Sequence, residues 1–212
     1  MEKDNITSIQ QLREHQDLLN DKQKIGLRYY EDILKRIPRS EIEEFERAFQ
    51  TAFAKVATKD DSFEIVGSYR RGNATSGDID VIISSKSGDR SVFKKFIKQL
   101  QEDGILLEIL SKGSTKSLTV GKLPDHETAR RLDFMYAPTN ERAFAILYFT
   151  GSKAFNVVQR RRANEMGMTM NEHGLFQLTG KGKKKKKGAR VEGDFPTEKA
   201  IFDYLGLVYK SP

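Results

Sequence analysis

Residues 78–84 read DIDVIIS, with two acids spaced by one branched apolar residue and further branched apolar residues after them, and this pattern constrains the fold of the chain more than any other. Because successive side chains of a β-strand point to opposite faces, one face of this strand must lie in a hydrophobic core. That face carries Ile79, Val81 and Ile83. Asp78, Asp80 and Ile82 lie on the other face, where the two carboxylates are roughly 7 Å apart along the strand. The pattern therefore predicts a strand that presents two carboxylates on the side away from the core.

Two carboxylates this close repel each other unless a cation lies between them. Hard divalent cations such as Mg²⁺ bind carboxylate oxygens and keep positions open for phosphates. Asp133 is a candidate for a third ligand, because its apolar neighbours Leu132 and Phe134 face the opposite side of their strand. The alternative is that Asp78 and Asp80 are simply exposed acids of an edge strand.

The segment before the carboxylates favours a phosphate ligand. Gly67 and Ser68 follow a predicted strand at Glu64–Val66 and form a turn whose backbone N–H groups can approach a phosphate. The Ser68 hydroxyl and the Arg71 guanidinium would be further donors. Phosphate donors and paired carboxylates within fifteen residues of each other indicate a nucleoside triphosphate as the ligand.

The remaining periodicities predict helices packed on one sheet. Apolar positions at helical spacing indicate an amphipathic helix over Glu41–Ala57 and another around residues 92–100. Strand-like runs follow at Ile105–Leu110, Lys116–Leu123 and Arg131–Tyr136. Because helices and strands do not alternate regularly, we expect an α+β core rather than a βαβ repeat.

Helical segments flank this core. Short helices are predicted over residues 6–34, and a second helical lobe follows the core. Thr139 is predicted to cap the first helix of that lobe, and Ser152 the next helix. The tail, residues 168–212, is predicted to form a hairpin around a run of lysines and then a short helix.

The lysine run, residues 181–190 with the sequence KGKKKKKGAR, holds the whole net charge of the chain. Lysine and arginine outnumber acidic residues by 37 to 30, and without the seven cations of this run the two classes are equal. The run is consistent with a nuclear localisation signal, with a loop that contacts phosphates or with a solvated hairpin tip. The absence of cysteine excludes disulfides and thiolate zinc sites, and no apolar stretch has the length of a membrane span. We therefore expect an intracellular protein that does not bind membranes.

The run GSYRRGNATSGDIDV at residues 67–81 resembles the signature of the nucleotidyltransferase superfamily, and of family X DNA polymerases in particular. Further motifs of that family occur in the same order: KRIPR at 35–39, LSKGSTK at 110–116, RRLDF at 130–134, LYFTGSKAFN at 147–156 and PTEKAIFDYLGLVY at 196–209. The resemblance implies an α+β fold with three parts. Residues 36–138 would form the catalytic palm, a mixed sheet backed by helices. Residues 1–35 would be a helical remnant of a DNA-binding subdomain, and residues 139–212 a helical and hairpin subdomain that selects the nucleotide.

The activity that the resemblance implies is template-dependent DNA synthesis, in which a primer 3′-hydroxyl attacks the α-phosphate of a dNTP and pyrophosphate leaves. Two Mg²⁺ ions, or Mn²⁺ in their place, would support this step. Asp78 and Asp80 would bind both ions, and Asp133 the ion that activates the hydroxyl. The implied setting is short gap filling in DNA repair, by a monomer that acts on primer-template or gapped DNA. Such a protein would be nuclear in a eukaryote and otherwise cytoplasmic.

The same resemblance assigns contacts with the two substrates. The dNTP contacts fall on Arg36, Gly67, Ser68, Arg71, Gly77, Tyr148, Phe149, Gly151 and Asn156. The DNA contacts fall on Lys116, Arg131 and Arg160. As a hypothesis about the grip on the duplex backbone, we add Lys183, Lys184, Lys185, Lys186 and Lys187.

Two features discriminate within the family. Tyr148 and Phe149 stand where template-independent transferases have Gly-Trp, and the loop at Thr119–Ala129 is short, so we expect templated synthesis that selects deoxyribonucleotides. The alternatives are a template-independent or ribonucleotide-using transferase, and a non-catalytic protein that binds DNA ends. Met135 and Val157 stand where a family prototype has basic residues. The chain begins too late for the family's N-terminal lyase domain, so lyase activity is expected to be absent.

Overall fold

The computed structural model describes residues 6–180 and 186–212 and has the α+β fold that the sequence predicts. The helices are α1 Ile9–Glu14, α2 Asp21–Arg28, α3 Tyr30–Leu34, α4 Arg39–Ala54, α5 Gly67–Arg70, α6 Ser91–Glu102, α7 Arg142–Thr150, α8 Lys153–Glu165 and α9 Glu198–Leu205. The strands are β1 Ile37–Pro38, β2 Asp61–Ile65, β3 Thr75–Ser76, β4 Ile79–Ser85, β5 Leu106–Lys112, β6 Lys116–Gly121, β7 Arg130–Tyr136, β8 Met168–Asn171, β9 Gly174–Thr179 and β10 Lys186–Arg190. In these two ranges no helix combines the length and the apolarity needed to cross a membrane.

The central sheet is mixed, with the strand order β2-β4-β7-β6-β5. Strands β4 and β7 run parallel, and the other neighbouring pairs run antiparallel. In the parallel pair Asp80 lies opposite Asp133. This register brings together two carboxylates that are far apart in the chain.

Helices α4 and α6 cover one face of this sheet with aromatic side chains. The ring centroids of Phe49 and Phe96 lie 5.6 and 5.9 Å from the centroid of Phe134 on β7. Ile79 of β4 is fully buried in the same core. Burying each of these side chains contributes on the order of 2 kcal/mol to stability. The core thus holds one face of β4. On the opposite face Ile82 is buried against α7, and Asp80, nearer the start of the strand, lines a cleft.

The C-terminal lobe packs around Phe144 of α7 and Phe202 of α9, and a second sheet of order β10-β9-β8 completes it. Ser152 caps α8 as predicted, since its Oγ accepts a hydrogen bond from the N–H of Phe155 at 3.4 Å. A cap of this kind satisfies one of the free N–H groups at the helix start.

The prediction that Thr139 caps α7 was wrong. The helix begins at Arg142, and Glu141 occupies the cap position without a side-chain hydrogen bond. The Thr139 hydroxyl donates instead to the carbonyl oxygen of Ser85 at 2.9 Å. Because Ser85 ends β4, the hydroxyl satisfies a strand-end carbonyl, and that contact is not visible in the local sequence.

The hairpin predicted around the lysine run is formed by β9 and β10, which pair antiparallel. Lys186 and Lys187 open β10 opposite Thr179 and Leu178. The remaining lysines of the hypothesis lie outside the described residues: Lys183, Lys184 and Lys185.

The N-terminal helices attach to the edge of the sheet that β5 forms. Asn20 caps α2, and Arg28 at the end of that helix pairs with Glu108 of β5 at 2.9 Å. Asp32 of α3 accepts a hydrogen bond from the N–H of Ala129 at 3.0 Å. These contacts hold α2 against the edge strand β5, and α3 against the start of β7, the strand that carries Asp133.

Candidate active site

Three carboxylates meet at one end of the β4–β7 pair. Asp78 directly precedes β4, Asp80 lies within it, and Asp133 lies in β7. One carboxylate oxygen of each lies within 4.8 Å of the others. Asp133 is buried, and its Oδ1 has no hydrogen-bond partner in the part of the chain that the structure describes. The cluster therefore offers carboxylate oxygens of the kind that a divalent cation binds, one of them buried and without a partner among the described residues.

Burial and mutual repulsion set the charge of this cluster. Burial, and then the negative charges of Asp78 and Asp133, raise the pKa of Asp80 to about 7. Burial also raises the pKa of Asp133, although the Arg131 guanidinium opposes that rise. A divalent cation among the carboxylates would remove the repulsion, so the donor set fits a hard metal ion such as Mg²⁺.

Arg131 connects two of the carboxylates. Its Nη2 donates to Oδ2 of Asp78 and, at 3.2 Å, to Oδ2 of Asp133. Lys116 lies on the same side of the sheet, with its Nζ 5.9 Å from the ring centroid of Phe149. Two of the cations predicted to contact DNA therefore border the carboxylate cluster.

Gly67, the first residue of α5, lies against the carboxylate of Asp80. Its φ is +66°, and a β-carbon at this position would lie 2.6 Å from Oδ2 of Asp80. Only glycine adopts this conformation without strain and leaves room for the carboxylate. Beside it, Ser68 Oγ donates to Ser76 Oγ at 2.8 Å, which connects the turn predicted to bind phosphate to β3.

Arg36 and Gly77 contact each other at the edge of the site rather than in its lining. A β-carbon at Gly77 would lie 3.3 Å from Nη1 of Arg36. Nη2 of the same guanidinium donates to the carbonyl oxygen of Thr75 at 2.7 Å. Arg36 is therefore held next to the loop that leads into Asp78.

A cleft of about 460 Å³ opens between the carboxylates and the C-terminal lobe. Seven of the nine residues predicted to contact a dNTP line it: Gly67, Ser68, Arg71, Tyr148, Phe149, Gly151 and Asn156. Further lining residues are Asp78, Asp80 and Arg160. Ser152 and Lys153 also line the cleft, and the sequence did not single them out as ligand contacts. The available signal was their place beside Gly151 in the LYFTGSKAFN motif.

Hydrogen bonds to backbone carbonyls shape the wall that the C-terminal lobe contributes. Arg71 Nη1 donates to the carbonyl oxygen of Thr150. Asn156 Nδ2 donates to the carbonyl oxygen of Tyr148 at 2.7 Å. The rings of Tyr148 and Phe149 pack edge to face with centroids 5.1 Å apart. These contacts join α7 and α8 to the turn at residues 67–71 that is predicted to bind phosphate, called the phosphate turn below.

The described part of the lysine run lies away from this wall. Lys186 and Lys187 belong to β10, which is not among the elements that line the cleft. The Lys187 ammonium lies 3.4 Å from the ring centroid of Phe176, in cation–π contact.

Comparison with known proteins places this site in a family. Two family models match the chain, "DNA polymerase beta palm" at residues 36–139 and "DNA polymerase beta thumb" at residues 145–212. The chain is 36% identical over 210 residues to DNA polymerase lambda of Rattus norvegicus, an alignment that covers 92% of this chain and 35% of that protein. Its identity to DNA polymerase lambda of Arabidopsis thaliana is 33% over 214 residues, which cover 93% of this chain and 40% of that protein. Its identity to the DNA-directed DNA/RNA polymerase mu of Homo sapiens is 25% over 244 residues, which cover 99% of this chain and 47% of that protein. The chain thus spans less than half the length of these curated relatives.

Proposed function

The chain belongs to the family X DNA polymerases that share the beta-type palm and thumb, and on this basis we propose that it is a template-dependent DNA polymerase. It would add a deoxynucleotide from a dNTP to a primer 3′-hydroxyl, with short gap filling in DNA repair as its task. The observation that carries the proposal is the meeting of three carboxylates, Asp78, Asp80 and Asp133, with the phosphate turn at Gly67 beside one cleft.

We assign Asp78, Asp80 and Asp133 as ligands of two divalent cations, Mg²⁺ or Mn²⁺. When bound, such ions lower the pKa of an attacking hydroxyl and neutralise a leaving triphosphate. The buried Oδ1 of Asp133, which has no hydrogen-bond partner within residues 6–180 and 186–212, supports the assignment, because a buried oxygen without a partner is costly in the absence of a cation. The raised pKa of Asp80 supports it as well, because both of its causes, burial first and then repulsion by Asp78 and Asp133, disfavour the bare carboxylate and a bound cation would offset them.

The cleft would orient the dNTP between its two walls. The triphosphate would lie on the N–H groups of the phosphate turn and on Arg71, with Arg36 at the edge. The deoxyribose would lie against Tyr148 and Phe149, where packing leaves little room for a ribose 2′-hydroxyl. The base would then reach Asn156 on α8.

DNA would approach from the side of the exposed cations. Lys116 and Arg131 border the carboxylates and would contact the primer strand, while Arg160 would contact the template. The lysine run would hold the duplex backbone. The chain would then act as a monomer in three parts: a helical DNA-binding segment at residues 1–35, a palm at 36–138 and a nucleotide-selection subdomain at 139–212. A protein with this action on DNA would work in the nucleus of a eukaryote, or in the cytoplasm of a cell without one.

Primer extension on gapped and on open template DNA tests the proposal. Asp133→Asn removes one negative ligand, and we expect it to slow extension by at least about a hundredfold, because metal-assisted charge neutralisation supplies several kcal/mol. Asp125→Asn, at an exposed position in the loop between β6 and β7, is the matched control and is expected to extend at the wild-type rate. Undiminished extension by the Asp133 variant would contradict the assigned mechanism.

Ribonucleotide use is a second candidate, favoured by the similarity to a relative named a DNA-directed DNA/RNA polymerase. Primer extension with each dNTP and each NTP supplied singly, with and without a template strand, distinguishes this candidate from template-dependent synthesis with deoxyribonucleotides. Equal incorporation of both sugar types, or addition without a template, would favour this candidate. DNA binding without any addition would instead indicate a non-catalytic protein that binds DNA ends.

A further inference from the structure

Lys153 is a cation of the nucleotide cleft that the roles proposed above leave unused. It is the first residue of α8, directly after the capping Ser152, and it lines the cleft with its side chain exposed. Lys153 takes part in none of the ion pairs found within the described residues; the neighbouring pairs along the chain are Arg142–Glu64 and Arg161–Glu165. Its ammonium is therefore available to a ligand in the cleft.

The backbone of Lys153 lies beside the cation of the phosphate turn. A β-carbon at Gly151 would be 3.5 Å from the backbone nitrogen of Lys153 and 3.5 Å from Nη1 of Arg71. Nη1 of Arg71 already donates to the carbonyl oxygen of Thr150, so part of the donor capacity of Arg71 is used within the protein. A flexible lysine stem that starts here can bring a second positive charge to a ligand held by Arg71.

Negative charges in the cleft oppose the binding of a triphosphate, and a second cation would offset them. Asp78 and Asp80 line the cleft and would repel a triphosphate wherever bound ions do not neutralise them. The N-terminus of α8, thirteen residues long, adds partial positive charge on the Lys153 side. Arg71, Lys153 and the start of α8 therefore place positive charge beside one another in the cleft, and Arg160 is a further cation of its lining.

We propose that Lys153 binds the triphosphate of the incoming nucleotide together with Arg71, and thereby sets the affinity of the site for dNTP. The inference rests on the proposed polymerase function. An ammonium binds phosphate as a point charge and needs no planar geometry, so a lysine at a helix start suits a flexible triphosphate.

Steady-state extension by Lys153→Ala tests this inference. We expect KM for dNTP to rise about tenfold, as for the loss of one charge-assisted hydrogen bond, with kcat within about twofold of wild type. The inhibition constant of inorganic tripolyphosphate, which shares only the phosphates with the substrate, is expected to rise by the same factor. Lys153→Arg keeps the charge and should restore most of the affinity. Lys94→Ala, an exposed lysine of α6 on the far face of the sheet, is the matched control and should change neither constant.

Two outcomes would overturn the inference. One is an unchanged KM in Lys153→Ala. The other is a raised KM with unchanged tripolyphosphate inhibition, because that would place the lysine at the base or the sugar. Failure of the wild-type chain to extend any primer would count against the polymerase function instead. Calorimetric titration of tripolyphosphate into wild type and Lys153→Ala would then still decide the role of Lys153.

Discussion

Gly67 and Asp80 approach each other so closely that a single methyl group at position 67 would lie 2.6 Å from a carboxylate oxygen of Asp80. The contact couples the turn that would hold phosphate to the strand that would hold metal. Asp80 can therefore keep its position only while residue 67 has no side chain.

Gly67→Ala is expected to impair both stability and activity. The φ of +66° costs an alanine about 1–2 kcal/mol, and the clash displaces the carboxylate, so we expect extension to fall by about a hundredfold or more. Gly72→Ala is the control, because Gly72 has a φ of +76° but a β-carbon there would meet no described atom within 4 Å. It should lose similar thermal stability and keep its activity. Equal activity of the two variants would contradict the coupling.

Asp80→Asn is expected to stabilise the protein in the absence of divalent metal. The pKa of Asp80 is about 7 in the folded protein against an ordinary 3.8, so ionising Asp80 costs folding free energy that grows as pH rises from 3.8 to 7 and is constant above. At about 1.4 kcal/mol per pKa unit the variant gains up to about 4 kcal/mol near pH 8, and less than half of that near pH 5. Thermal unfolding in EDTA at the two pH values measures the gain. A gain independent of pH, or one shared by Asp125→Asn, would show that the ionisation of Asp80 in the folded protein is not its source.

Arg131→Gln is expected to destabilise the metal-free protein by about 1 kcal/mol, after allowance for the partial exposure of the ion pairs. Arg131 donates to both Asp78 and Asp133, and glutamine removes this positive charge from both contacts. The increase in melting temperature on adding Mg²⁺ should therefore be larger in the variant than in wild type. Arg28→Gln breaks the exposed pair with Glu108 and should leave the Mg²⁺ response unchanged. The same Mg²⁺ response in wild type and both variants would argue against Arg131 as a counter-ion of the cluster.

Gln159→Leu is expected to stabilise the C-terminal lobe by about 1–2 kcal/mol. Gln159 is fully buried in α8, and neither atom of its amide has a hydrogen-bond partner among the described residues. Burying an unpaired amide costs about this much, and leucine has a similar volume without polar atoms. The midpoint of urea unfolding measures the effect. Gln101→Leu, at an exposed position of α6, is the control and should not raise the midpoint. A lower midpoint for Gln159→Leu would mean that the amide is paired in solution.

Local patterns predicted the elements well where the partners are close in sequence. The alternation at residues 78–84 predicted β4, which the structure confirms at Ile79–Ser85. The Ser152 cap was predictable because a capping hydroxyl bonds to an N–H only three residues further on. The Thr139 cap failed, since the carbonyl of Ser85 took its hydroxyl from a distant part of the chain.

In the candidate site, too, local sequence predicted the residues, whereas contacts between distant segments were not predictable. Residue types and their spacing pointed to Asp78 and Asp80, and strand periodicity added Asp133. The bridge from Arg131 to two of these carboxylates was not predicted, and neither was the place of Lys153 in the cleft. Both depend on how separate segments pack, which a periodicity of two or of 3.6 residues does not encode.

The sequence by itself determined which strands carry acids on one face and apolar residues on the other, because side-chain alternation is a property of each strand alone. Only the tertiary structure decided that Asp80 lies opposite Asp133, that Gly67 lies against Asp80 and that Arg71 and Lys153 flank the same cleft. These relationships follow from the parallel register of β4 and β7 and from the packing of the C-terminal lobe. Both are set by contacts between residues that are distant in the chain.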